Sequence, residues 1–183
     1  IRDTALLDNR SLNLLTSFGA GRFDIEGSVL SGNALYATQF VEYPAALIRV
    51  DPDLFGPSPP GLVQRIRFST IVNTTFAGSS PPVFNHGSSA LDVTGSIIHT
   101  PGLFSRSTDS TGTVTHNGCL LVHDSAGYPL TPAPPIVAAP DLAADLTPNV
   151  ASPALDRCDA ALAPALDFRG NARSIDQPGI PNQ

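Results

Sequence analysis

The chain reads as all-β, wound as a right-handed parallel β-helix (a solenoid). Three observations carry that expectation. A strand–turn–strand phrase recurs five times, and its aligned copies share one chemical character per column. The third is composition: 18 prolines, 15 glycines and many Ser and Thr leave little room for amphipathic helices. A β-sandwich with Gly/Pro turns is the competing reading, but it does not account for matched columns.

The phrases are Ile1–Leu6, Ile25–Leu30, Ile66–Ile71, Val93–Ile98 and His116–Leu121, with starts 24, 41, 27 and 23 residues apart. A period of this size is the mark of stacked repeats. The first column is apolar (Ile1, Ile25, Ile66, Val93) except for His116. The second is polar (Arg2, Glu26, Arg67, Thr94, Asn117), as an outward strand position requires. The third holds Asp3, Gly27, Phe68, Gly95 and Gly118, so a bend with positive φ is expected, with Phe68 breaking the rule and its coil turning differently. The fourth is small (Thr4, Ser28, Ser69, Ser96, Cys119) and the sixth aliphatic (Leu6, Leu30, Ile71, Ile98, Leu121), both facing inward. Turn residues Asn9, Asn33 and Asp124 follow three positions later. One coil cannot bury its own inner face, so the array is stable only as a stack.

The whole of 1–183 is expected to be one β-helix segment. Residues 34–61 stretch one interval and read as an inserted loop. Residues 125–151 are Pro/Ala-rich, with four prolines between Thr131 and Pro140, and read as an extended, partly polyproline connection along the stack. Residues 152–183 are expected to form a terminal coil and cap. Because residue 1 falls inside a phrase, the chain reads as the C-terminal coils and cap of a longer one, with upstream coils covering the sheet edge at residue 1.

Net charge is −6 and all ten basic residues are Arg. No basic stripe exists for nucleic acid, and the apolar stretches are too short for a membrane span. His86, His99, His116 and His123 with two cysteines lack metal-ligand spacing, and neither a metal nor a cofactor is expected. Cys119 and Cys158 could pair in an oxidising compartment; equally, Cys119 fills the small inward column. The insertion is the best candidate ligand site. It gathers Tyr36, Phe40, Tyr43 and Phe55 with Glu42, Arg49, Asp51 and Asp53, groups that stack on sugars and hydrogen-bond hydroxyls, or that pack back onto the coils. Asp51-Pro52-Asp53 is a turn before it is a carboxylate pair. Asp141 and Asp145 are expected to cap turns, and His116 to sit inward and hydrogen-bonded rather than to act as a catalyst. Hydrolase elbow and nucleotide-loop patterns are absent. The sequons at Asn9 and Asn73 coincide with turn positions of the repeat.

The C-terminal phrases Ser152-Pro153-Ala154-Leu155-Asp156, Asp167-Phe168-Arg169-Gly170-Asn171-Ala172-Arg173 and Ile175-Asp176 resemble the closing segment of bacterial secreted right-handed parallel β-helix repeat proteins of the choice-of-anchor type, with a pectin-lyase-like fold. Gly27-Ser28-Val29-Leu30-Ser31-Gly32-Asn33 is similar to the same family's repeat. The resemblance covers nearly everything outside 34–61. Family tails run on into an Asp-Ile-Gly-Ala-like strand, where this chain has Pro178-Gly179-Ile180-Pro181. The resemblance implies secretion or surface display, and a salt-bridged structural cap for Asp156, Asp167, Arg169, Arg173 and Asp176. The function expected is a non-catalytic stalk, adhesin or glycan-binding surface, with polysaccharide or cell-surface glycan and the upstream coils as partners. The enzymatic alternative is part of a polysaccharide lyase or glycoside hydrolase whose catalytic coils lie upstream.

Overall fold

In the computed structural model the described residues are 1–11, 13–18, 21–35, 46–51, 61–76, 84–85, 87–100, 112–117, 119–123, 134–155, 164–167 and 169–172. They are all-β, without a helix, and every strand pairs in parallel. The chain runs through β1 (Ala5–Leu7), β2 (Arg10–Ser11) and β3 (Asn13–Phe18), then β4 (Asp24–Glu26), β5 (Val29–Ser31), β6 (Ala34–Leu35) and β7 (Ala46–Asp51). It continues with β8 (Val63–Arg67), β9 (Thr70–Val72), β10 (Thr75–Phe76) and β11 (Phe84–Asn85). Next come β12 (Ala90–Thr94) and β13 (Ile97–His99), β14 (Val114–His116) and β15 (Leu121–Val122), and last β16 (Ile136–Val137).

Each of these groups is one layer, adding one strand to successive sheets. Sheet A is ordered β4-β8-β12-β14, sheet B β1-β5-β9-β13-β15-β16, sheet C β2-β6-β10 and sheet D β3-β7-β11. This is the pattern with which a parallel β-helix is compatible. Of the segment expected as an insertion, 34–35 and 46–51 are strands of sheets C and D.

The core is built of columns, as anticipated. Ile25, Ile66, Val93 and His116 stand in register on the inner side of sheet A. Leu6, Leu30, Ile71 and Ile98 do the same in sheet B, and Leu15, Ile48 and Phe84 in sheet D. These interlock in one cluster in which Ile25, Leu30, Ile66 and Ile71 are wholly buried. Each fully buried aliphatic contributes about 1.5–3 kcal/mol. The fifth phrase departs from the alignment. Ile98 pairs with Val122, not Leu121, because one extra residue sits between His116 and the strand. Wholly buried Leu120 therefore takes the place beyond Ser96, and Cys119 is left half-buried at the corner rather than in the small column.

That corner explains the small column. The hydroxyl of Thr4, Ser28, Ser69 and Ser96 donates to the carbonyl two residues back, at 2.7–2.9 Å. The oxygens of Ser28, Ser69 and Ser96 also accept the N–H of the corner residue one layer below, at 3.2–3.3 Å. The bend at this corner turns the N–H of the small residue away from the backbone ladder while its neighbours keep carbonyl partners, and buried donors need partners. In the fifth layer Asn117 substitutes: its Oδ1 accepts from the N–H groups of Gly95 and Cys119. A second ladder lies at the next corner, where buried Asn33 accepts from the backbone and side chain of Asn9 through Oδ1 and donates to the Leu6 carbonyl.

The bend column behaves uniformly. Asp3, Gly27, Phe68 and Gly95 have φ of 48, 59, 48 and 56°, so Phe68 keeps the bend rather than breaking it. Its compensation is vertical: a Cβ at Gly95 would stand 2.6 Å from the Phe68 ring, and one at Gly27 2.6 Å from the Asp3 carboxylate. A side chain in the left-handed conformation lies over a glycine of the next layer, which is why the column mixes the two types. A further left-handed column, Asp8, Gly32 and Asn73, sits at the second corner, one residue before the Asn9 and Asn33 turn positions.

The 24-residue spacing also runs into the Pro/Ala-rich tail. Leu142 bridges Pro148 and Leu166 bridges Ala172, both antiparallel and 24 residues apart. The matching hydrogen bonds Ala143 N–H to Thr147 O and Asp167 N–H to Asn171 O are both 2.8 Å. Arg169 ties one hairpin to the other by donating to the Asp145 carboxylate at 2.7 Å and to its carbonyl at 2.6 Å. Leu142, Leu146 and Ala154 pack on Val72, Ile97 and Leu121, covering the outer face of sheet B. Ser152 donates to the Pro140 carbonyl, fixing the start of this segment to its end.

Leu30→Asp or Ile98→Asp places an unpaired charge in the sealed column, and loss of the cooperative urea transition is expected in either. Gly95→Ala combines a left-handed backbone with a clash against the Phe68 ring and should cost about 2–4 kcal/mol in chemical denaturation. Adding Phe68→Gly should recover part of that loss, since it removes the ring.

Candidate functional site

The outer face of sheet A carries the densest chemistry. Strand alternation sends Asp24, Arg65, Asp92 and Thr115 outward in one row, and Arg2, Glu26, Arg67 and Thr94 in the next. Signs alternate from layer to layer in both rows. Glu26 lies 2.8 Å from Arg2, Asp24 pairs with Arg22, and Asp92 meets Arg67 diagonally at 3.6 Å. Exposed pairs of this kind contribute about 0–1 kcal/mol each, too little to hold the stack. They act instead on which strands lie side by side, because β4 carries two acids, Asp24 and Glu26, and β8 two bases, Arg65 and Arg67, so that neighbouring layers attract. The face presents four guanidinium groups against three carboxylates, on a stiff lattice with strands about 4.8 Å apart.

Behind this face lies a neutral inner side. Gln64, fully buried, accepts from the Phe23 N–H at 2.8 Å and donates to the Gly21 carbonyl at 3.3 Å, clipping the chain that enters β4. His116 is 3% exposed, and burial lowers its pKa below the ordinary imidazole value. It is an inward member of the apolar column, as expected. His99 and His123 lie instead on the outer side of sheet B, one residue past the Ile98–Val122 pair. Their rings meet edge to face, with centroids 4.7 Å apart. In the tail, hydrogen bonds from Thr147 and Arg169 hold the exposed Asp145 carboxyl at about 2, so the tie between the hairpins stays charged through ordinary pH. Asp145 caps a turn, accepting from the Thr147 N–H, whereas the Asp141 carboxylate accepts from the Asn149 side chain eight residues on.

Of the residues singled out for sugar binding, Arg49 is buried in β7, in register with Thr16 and Asn85. Asp51 ends β7 opposite Phe18. Tyr36, Phe40, Glu42, Tyr43, Asp53 and Phe55 lie outside the described residues, as do Cys158, and with it the Cys119–Cys158 pairing, and His86, Asp124, Asp156, Arg173 and Asp176. The sequence reading recognised the Arg2–Glu26–Arg67 row but missed the row beside it. The signal was available: Asp24, Arg65 and Asp92 each directly precede the apolar first column, at the outward parity. Among the described residues no cluster of three or more metal-ligating side chains occurs, and no helix is long and apolar enough to cross a membrane. No protein-family model, curated protein or solved structure matches the chain.

Because His116 is neutral inside the fold and protonates freely when unfolded, stability should fall as pH drops below about 6.5. His116→Val, which restores the column's usual residue type, should remove that part of the acid dependence in urea titrations at stepped pH.

Proposed function

We propose that this chain is a segment of a right-handed parallel β-helix, a secreted or surface-displayed scaffold of non-catalytic function, and that the outer face of sheet A binds an extended acidic glycan. The observation that carries this reading is the pair of charged rows in register. Guanidinium groups pair with carboxylates in planar, two-pronged geometry, and here Arg65 and Arg67 project from one strand beside Arg2 and Arg22. A polymer lying along the face would exchange the protein's own acids for its own, one sugar unit after another. The repeat phrases and the Ser152 and Asp167 tail motifs support the family resemblance, and with it secretion.

A second reading is glycoside hydrolysis, and one observation favours it. Asp24 and Glu26 leave β4 on the same face two residues apart, which sets their Cα atoms about 6.6 Å apart. From that spacing two side chains on one face can bring their carboxyls to the separations of about 5–9.5 Å used by two-carboxylate hydrolases. Their engagement with Arg22 and Arg2 weighs toward binding.

The test is a panel of acidic and neutral polysaccharides, followed by affinity electrophoresis and by assays for new reducing ends and unsaturated products, with and without calcium. Acidic polysaccharides are expected to retard the chain without turnover. Arg65→Ala with Arg67→Ala should weaken retardation about tenfold or more, and added salt should weaken it too. Product formation lost in Asp24→Asn or Glu26→Gln would overturn the binding reading in favour of hydrolysis.

A further inference from the structure

We propose that His99 and His123 form a two-nitrogen site for a divalent transition-metal ion, of the zinc or copper class, on the outer face of sheet B. The two residues come from adjacent parallel strands, whose register is fixed by the Ile97–Leu121 and Ile98–Val122 pairs. Neighbouring strands lie about 4.8 Å apart, close enough for two imidazoles on the same side to converge. They do converge: His99 Nε2 and His123 Nδ1 are 3.2 Å apart. Zinc–imidazole bonds of about 2.0–2.1 Å place two nitrogens on one tetrahedral ion about 3.3–3.4 Å apart. A square-planar ion brings adjacent nitrogens to about 2.9 Å. The observed separation falls between the two, so the pair has the span of a chelate before any ion arrives.

The other residues of this row, Leu7, Ser31 and Val72, show that the layer geometry does not call for imidazole here. His123 is exposed and His99 half-buried, so the site opens to solvent and water can complete the coordination. The neutral ring is the ligating form, and burial followed by repulsion from His123 lowers the His99 pKa toward it. In the empty pair one ring donates its N–H to the other. On binding, that proton moves to the remaining nitrogen of its own ring, so both facing nitrogens offer lone pairs to the ion. The ion would clip two layers of sheet B together beside the tail that covers it.

Calorimetry of the full chain with zinc chloride, alongside thermal melts, tests this. One saturable ion per chain is expected, with a rise in melting temperature, and with affinity reduced about tenfold or more in both His99→Gln and His123→Gln. Copper(II) bound to the chain should show hyperfine coupling to two nitrogens in electron paramagnetic resonance, and to fewer in either variant. Absence of saturable binding up to about 1 mM, loss in only one of the two variants, or unchanged affinity in the double variant would each overturn the proposal. Circular dichroism of the variants checks that the fold is retained.

Discussion

The stack depends on how each corner satisfies its backbone. Strand ladders supply hydrogen bonds along the flat faces, but at the corner one N–H per layer, that of Thr4, Ser28 or Ser69, finds no backbone carbonyl, while its neighbours keep theirs. The hydroxyl column solves this by bridging layers: Ser28, Ser69 and Ser96 each donate to a carbonyl of their own turn and accept an N–H from the layer below. Because the bridge joins one layer to the next, it sets the vertical register that every sheet then inherits. Buried Asn33 performs the same service at the neighbouring corner. Where the hydroxyl is absent, in the fifth layer, an extra residue appears and Asn117 supplies the acceptor from its side chain.

Register in turn decides what each outer face becomes. On sheet A it aligns opposite charges into two rows, leaving a polar lattice. On sheet B it aligns Val72, Ile97 and Leu121 into an apolar patch, which the tail covers with Leu142, Leu146 and Ala154. A flat apolar face left open would invite association, and the tail closes it. The hairpins of that tail are 24 residues apart, the spacing that also separates Leu6 from Leu30 and Ile98 from Val122, and are tied together by Arg169 and Asp145. The Asp167-x-Arg169 phrase is thus a structural clasp, and Ser152 its anchor to Pro140.

How much could be read in advance follows from distance along the chain. The inward columns were legible because stacking places like on like, so Leu6, Leu30, Ile71 and Ile98 reveal one another by offset alone. The outward rows of sheet A were half legible, since Arg2, Glu26 and Arg67 lie within the phrase while Asp24, Arg65 and Asp92 stand one residue before it. Phe68 was misread because its left-handed bend lays the ring over Gly95, a residue 27 positions away that has no side chain to oppose it. The Leu121 offset failed for a like reason: one extra residue at a corner moves the column to Val122, and only strand pairing reports it.

The sequence by itself determined the all-β class, the repetition of layers, the first four layers of the core columns in sheets A and B, and the polar character of the outward second column. Those properties follow from alternation along a strand and repetition along the chain, which are local and countable. Tertiary structure alone decided that Arg49 is buried, that the Pro/Ala-rich tail folds over sheet B, that Arg169 reaches Asp145, and that His99 and His123 meet within 3.2 Å. Each of these depends on which residues stand side by side in adjacent layers. A one-residue difference in a corner changes that, while composition and periodicity stay the same.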